Sequence, residues 1–223
     1  MPTIDFVALD RLAVTASIEL ATGVTDTDLS KPTPCRAWTV YGLLAHMATQ
    51  HYGFAAASRG DGNPEVWKVR DLGDNPAQAY LDSAAHVLEA FADEGVTERI
   101  FPLPEFGPDV KVPGHQAISF HFIDYVVHSW DLAKSLGATV DFPQGVLDAA
   151  WSVAQIVPVG DARRTPGAAF GPDIEWSGPD QLDRIVALLG RSPSWPAEVS
   201  RAGRVSHRPS LRSTSARRPP SDR

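Results

Sequence analysis

His121, Asp124, His128 and Asp131 stand three, seven and ten positions along a single segment, Pro113–Gly137, whose apolar residues predict a helix. At about 100° per residue, Phe120, Ile123, Val126, Val127 and Trp130 gather on one broad face, and the four polar residues fall on a narrow stripe beside it. Imidazoles and carboxylates in such a row suit a divalent cation. Asp124 and His128, at i and i+4, point the same way and can share one ion as paired helix ligands. A solvated helix face with an Asp–His hydrogen bond would show the same spacing. The stripe alone leaves both readings standing.

A second imidazole source lies upstream. His46 sits in Leu43-Leu-Ala-His-Met-Ala, among apolar neighbours on the side of a predicted helix that faces inward. It is either a core histidine or a ligand, since bundle interiors are where facing helices build metal sites. His51, five positions on, points about 140° away and is not expected to share that site. His121, one turn before Asp124, is an alternative ligand. Asp131 either hydrogen-bonds a ligand imidazole or caps a neighbouring element. Cys35 has only Arg36 nearby to lower its thiol pKa, so it reads as a buried small side chain rather than a nucleophile. Arg163 and Arg164 read as solvated loop residues, with a contact to an anionic substrate group as the alternative.

Six helices have to carry these residues. Thr3 and Asp5 offer an N-cap before Phe6, Leu9, Ala13, Ala16 and Leu20, and Gly23 ends that run. Lys31-Pro-Thr-Pro-Cys-Arg-Ala-Trp is a loop because two prolines flank Thr33. Thr39 caps a helix from Val40 to about Ser58. Another follows Asn75, with Pro76 at the first-turn position where its missing N–H costs nothing. Arg99 to Val112, broken by three prolines and a glycine, is irregular or a short hairpin. Further helices run over Pro143–Ile156 and Pro179–Leu189. The expected fold class is all-α, an up-and-down four-helix bundle with extra short helices.

Bulk properties narrow the function. With 223 residues and 43% hydrophobic content, the chain can bury a full core without disulfide or metal staples. A net charge of −7 argues against general nucleic-acid binding. One cysteine permits neither an intrachain disulfide nor a cysteine-based zinc site. With no signal-peptide pattern and no membrane-length apolar run, a cytoplasmic protein is expected, without a membrane partner. After Trp195-Pro196 the apolar periodicity stops, and seven arginines follow among Ser and Pro. Residues 1–196 are therefore read as one domain and 197–223 as a disordered basic tail.

Thr33-Pro-Cys-Arg-Ala-Trp-Thr-Val, Leu43-Leu-Ala-His46 and Asp124-Tyr-Val-Val-His128-Ser-Trp-Asp-Leu-Ala-Lys-Ser-Leu-Gly resemble the DinB/YfiT-like superfamily. More closely, the chain is similar to the actinobacterial metal-binding branch related to the N-terminal domain of mycothiol-dependent maleylpyruvate isomerase. Phe170-Gly-Pro-Asp-Ile and Asp183 to Trp195 share the likeness, which spans nearly all of residues 5–196. It implies a DinB-like four-helix core with a divalent metal held by His46, Asp124 and His128, zinc first and nickel second. Two imidazoles and one carboxylate leave a coordination position open, as in catalytic zinc sites. The resemblance also implies mycothiol as cosubstrate and a small electrophile as substrate, in a transferase or isomerase reaction. A non-catalytic metal-binding sensor or interaction module is the alternative, and a homodimer is as open as a monomer. The isomerase branch carries Glu where this chain has Asp124, and the shorter side chain reaches less far.

Overall fold

The computed structural model describes residues 4–36, 38–165 and 168–196. The expected basic tail, 197–223, lies outside them. Six α-helices are present among the described residues: α1 (Phe6–Thr22), α2 (Val40–Ser58), α3 (Pro76–Phe91), α4 (Gly114–Leu136), α5 (Gln144–Ile156) and α6 (Gln181–Leu188). The caps read from the sequence do their work. Asp5 Oδ1 accepts from the Ala8 N–H at 3.1 Å, Thr39 Oγ1 from Gly42 at 3.4 Å and Asn75 Oδ1 from Gln78 at 3.1 Å. Each side chain satisfies an N–H that the first turn leaves without a helical partner. Gly137 ends α4 in the left-handed region, at φ 69°, returning its N–H to the Ala133 and Lys134 carbonyls.

The first four helices form the bundle. α1 packs on α3 and α4, and α2 packs on the same two, so helices consecutive in sequence are not all neighbours. Directions follow from the contacts. Asp10 meets His121 and Ser129 reaches back to Ala13, so α1 and α4 run parallel. His51 meets His121 while the Tyr125 hydroxyl donates to the Met47 carbonyl, so α2 runs against α4. His51 lies on Tyr80 and Arg59 reaches His86, so α3 runs with α2. In chain order the helices go up, down, down, up. α5 and α6 pack on each other and against α4, covering its outer side with Val146, Ala150, Val153, Ile185 and Val186. No helix among the described residues is long and apolar enough to cross a membrane.

The proline-rich stretch after α3 is a small hairpin, β1 (Ile100–Pro102) and β2 (Lys111–Pro113), paired antiparallel with Phe101 opposite Val112. Phe101 is fully buried against Phe54, Val87, Phe91 and Ile118, which anchors the hairpin at the start of α4. Gly114 makes this junction possible. Its N–H donates to the Arg99 carbonyl at 2.7 Å, and a Cβ there would collide with the Val96 carbonyl and sit 3.0 Å from the Phe101 ring. Gly114→Ala is therefore expected to cost about 1–3 kcal/mol through overpacking, read as a lowered urea midpoint. An unchanged midpoint would show that the junction yields freely.

Candidate metal centre

The polar stripe of α4 is not a solvated face. His121, His128 and Asp131 are buried, and Asp124 is half-buried. Because α2 runs antiparallel to α4, His46 arrives opposite Asp124 and His128. One donor atom from each of His46, Asp124 and His128 lies within 4.8 Å of the others. Asp124 Oδ1 is 3.3 Å from His128 Nε2 and Asp124 Oδ2 is 3.7 Å from His46 Nε2. The second separation is too long for a hydrogen bond and the first is near its outer limit. Tetrahedral bonds of about 2.1 Å put neighbouring donors roughly 3.4 Å apart, so the spacing suits atoms arranged around one ion. His46 and Asp124 each keep 19% of their side chains exposed while His128 keeps 2%. The cluster therefore opens to solvent on one side.

The surroundings make this a place for positive charge. Burial alone would raise the Asp124 carboxyl, but His128 and His46 beside it outweigh burial and hold it well below its ordinary value. Burial also disfavours the His128 imidazolium, yet Asp124 and Asp131 lift that group to about 9. In a protein without metal, a proton fills the attraction that a divalent ion would answer.

Each ring is also held from behind. His128 Nδ1 donates to Asp131 Oδ2 at 2.9 Å, which leaves Nε2 as the atom facing Asp124. Of the two sequence readings of Asp131, contact with the candidate ligand imidazole is the one observed. Trp38 stacks on His46 with ring centroids 4.4 Å apart and lies 5.9 Å from His128. The loop before α2 exists in this shape because Thr33 Oγ1 donates to the Cys35 and Trp38 carbonyls at 2.9 and 3.0 Å. Cys35 in that loop is half-buried rather than buried, since the turn presents its carbonyl inward and only part of its side chain.

Other sequence candidates go elsewhere. His121 Nδ1 lies 2.6 Å from Asp10 Oδ1, and its Nε2 lies 3.2 Å from His51 Nδ1. His121 thus faces α1 and the bundle interior rather than the cluster, and His51 goes with it. Arg163 is buried and spends its guanidinium on the Pro158, Val157 and Leu188 carbonyls, tying α5 to α6. Arg164 is exposed and pairs with Asp161 at 3.0 Å.

The sequence reading assigned no role to Trp38, Gln50, Glu105 or Arg191. Gln50, one turn beyond His46 on α2, donates to both Glu105 oxygens at 3.0 and 2.9 Å. Beside Glu105, Phe106 packs on Phe120 with centroids 5.8 Å apart, one turn before Asp124. Packing around Glu105 and the negative Asp124 push its carboxyl upward against Gln50 and His46, although the residue keeps an exposed flank. Trp38 had a signal, a large aromatic closing a proline-bounded loop just before a helix cap. Glu105 had none, because it comes to Gln50, one turn from His46, from a hairpin far away in sequence.

The profile described as the mycothiol maleylpyruvate isomerase N-terminal domain matches residues 11–133. The chain belongs to this family. The matched span of this mycothiol maleylpyruvate isomerase N-terminal domain contains His46, Asp124, His128 and Asp131. Two uncharacterised proteins, from two strains of Mycobacterium tuberculosis, are each 30% identical to the chain over 167 residues, 74% of its length and 85% of theirs. Among solved structures, the mycothiol-dependent maleylpyruvate isomerase superposes with a TM-score of 0.51 at 18% identity, covering 67% of this chain and 68% of that one. A histidine-to-alanine mutant of that isomerase gives the same figures. At such identity the likeness speaks for the shared fold, a DinB-like helical bundle.

Proposed function

We propose that this chain is a cytoplasmic, divalent-metal and thiol-dependent enzyme, an isomerase or transferase acting on a small electrophile, with mycothiol as the thiol. The observation that carries the reading is the convergence of His46, Asp124 and His128 at metal-ligand spacing, open to solvent on one side, in a chain of the mycothiol maleylpyruvate isomerase N-terminal domain family. These three residues are the proposed ligands, with zinc first and nickel second by donor type. A divalent ion held there supplies a Lewis-acid position that favours a thiol in its thiolate form at neutral pH.

The chain's own residues prepare that position. Asp131 fixes the His128 ring so that Nε2 faces the cluster. Trp38 covers the His46 and His128 rings on one side and keeps bulk water from that approach. Glu105, oriented by Gln50 and with its carboxyl pushed upward by burial and by Asp124, stands beside Gln50 as a proton acceptor for the incoming thiol. A thiolate delivered there adds to one carbon of an activated double bond, breaking its π bond and leaving an enolate. Return of the thiol's proton from Glu105 to the enolate carbon gives the conjugate. Rotation about the former double bond followed by S–C cleavage returns the thiol and gives a cis–trans isomer.

Cobalt(II)-substituted protein titrated with mycothiol tests this. A new near-ultraviolet sulfur-to-cobalt band, absent with the disulfide form of the thiol, is expected. Catalysed isomerisation of maleylpyruvate by the zinc form would then identify the reaction. Metal bound without any sulfur band would leave a metal-binding module and overturn the enzyme reading.

A further inference from the structure

Asp131 is fully buried, and a buried carboxylate needs a counter-charge. Arg191 meets that need. Its Nε and Nη2 each lie 3.4 Å from Asp131 Oδ2, the oxygen that also accepts from His128 Nδ1. Asp131 Oδ1 has no partner among the described residues, so both polar partners converge on one oxygen and together fix the carboxylate's rotation. Arg191 is itself held. Only 6% of it is exposed, its Nη1 donates to the Leu189 carbonyl at 3.0 Å, and its guanidinium lies 5.4 Å from the Phe170 ring centre. The backbone N–H of Arg191 donates to Val186 at 2.9 Å, so the side chain leaves α6 from a fixed point.

We propose that Arg191 is a positioning residue of the metal centre, acting through Asp131 to set the orientation of His128. The proposal rests on the metal reading above and extends it to a segment well beyond the matched residues 11–133. The line runs from α6 through Arg191 and Asp131 to His128 Nε2. It needs the Arg fork, because two nitrogens aimed at one oxygen hold a direction that a single ammonium does not. The turn after α6 thereby becomes part of the site rather than only packing over α4.

Zinc affinity by chelator competition and the cobalt(II) visible spectrum test the line in the full chain. Arg191→Met is expected to weaken zinc binding about 10–100-fold and to change the cobalt band shape, and Arg191→Lys to recover part of both. Lys134→Met is the control. Lys134 ties the same segment down through the Pro193 carbonyl at 3.4 Å without touching Asp131, so its loss should leave affinity and spectrum unchanged. In an Asp131→Asn background, Arg191→Met should add little. Parent-like affinity and spectrum in Arg191→Met, or equal losses in Lys134→Met, would overturn the proposal while leaving the metal reading intact. A parent protein that takes up no metal would overturn both. Should Arg191→Met fail to fold, Arg191→Lys decides, since parent-like behaviour there would show that the fork is not needed.

Discussion

Replacing His46 with alanine should abolish stoichiometric metal: about one equivalent of zinc or nickel in the parent, and none retained by the variant after gel filtration. The cluster has three candidate donors, so losing one leaves Asp124 and His128 to hold an ion as a pair. The affinity loss should exceed the 10–100-fold typical of an outer-contact mutation, and Asp124→Ala should match it. A pH dependence accompanies this. His128 binds its proton up to about pH 9 because Asp124 and Asp131 stabilise the imidazolium against burial. Metal needs the neutral ring, so below pH 9 each ion bound must displace that proton. Apparent affinity should therefore fall roughly tenfold per pH unit from this group as pH drops. Isothermal titration in buffers of different ionisation enthalpy would count the proton released at pH 7.5. Full occupancy in both alanine variants would sink the assignment of these ligands.

Much of the frame was legible because its signals are local. Asn75-Pro76, Thr39 and Asp5 announce helix starts through hydrogen bonds that span only three residues. The α4 stripe follows from helix periodicity, and the motifs around His46 and Asp124 pointed to their meeting. What was hidden depends on contacts distant in sequence. Asp10 and His121 lie 111 positions apart and Arg191 and Asp131 lie 60 apart. Neither pairing can be reached without knowing that α1 runs parallel to α4 and that the turn after α6 returns to the C-terminal part of α4. The stripe on α4 therefore looked like one set of four residues. In the fold it divides, with Asp124, His128 and Asp131 at the cluster and His121 turned to a partner on α1.

That division leads to the largest expected effect on stability. Asp10, His121 and His51 form a buried chain joining α1, α4 and α2. One proton arrangement leaves neither imidazole with an unpaired N–H: His121 Nδ1–H donates to Asp10 Oδ1, and His51 Nδ1–H donates to His121 Nε2. The bare His51 Nε2, which finds no partner among the described residues, is then only an unfilled acceptor, the cheaper kind of orphan. Asp10→Ala removes the end of the chain, strands the His121 N–H in the core and leaves a cavity beside it, at an expected combined cost of about 3–5 kcal/mol. For a chain of this size that is a fall in Tm of roughly 10 °C. Asp10→Asn keeps a carbonyl acceptor in place and should cost about 1–2 kcal/mol. His51 adds a pH signature. Burial and the neighbouring His121 hold its pKa well below the ordinary 6.5, so it stays neutral in the fold while the unfolded chain takes up a proton. Its contribution is intact above pH 6.5 and is lost as pH falls towards the folded value, at about 1.4 kcal/mol per pH unit. Asp10, whose carboxyl burial raises despite His121, works the other way at lower pH, where protonation favours the folded form. Thermal melts of metal-free parent and His51→Asn from pH 7.5 to 5.5 separate these effects. The parent should lose stability more steeply than the variant, and parallel curves would mean that His51 carries its proton inside the fold.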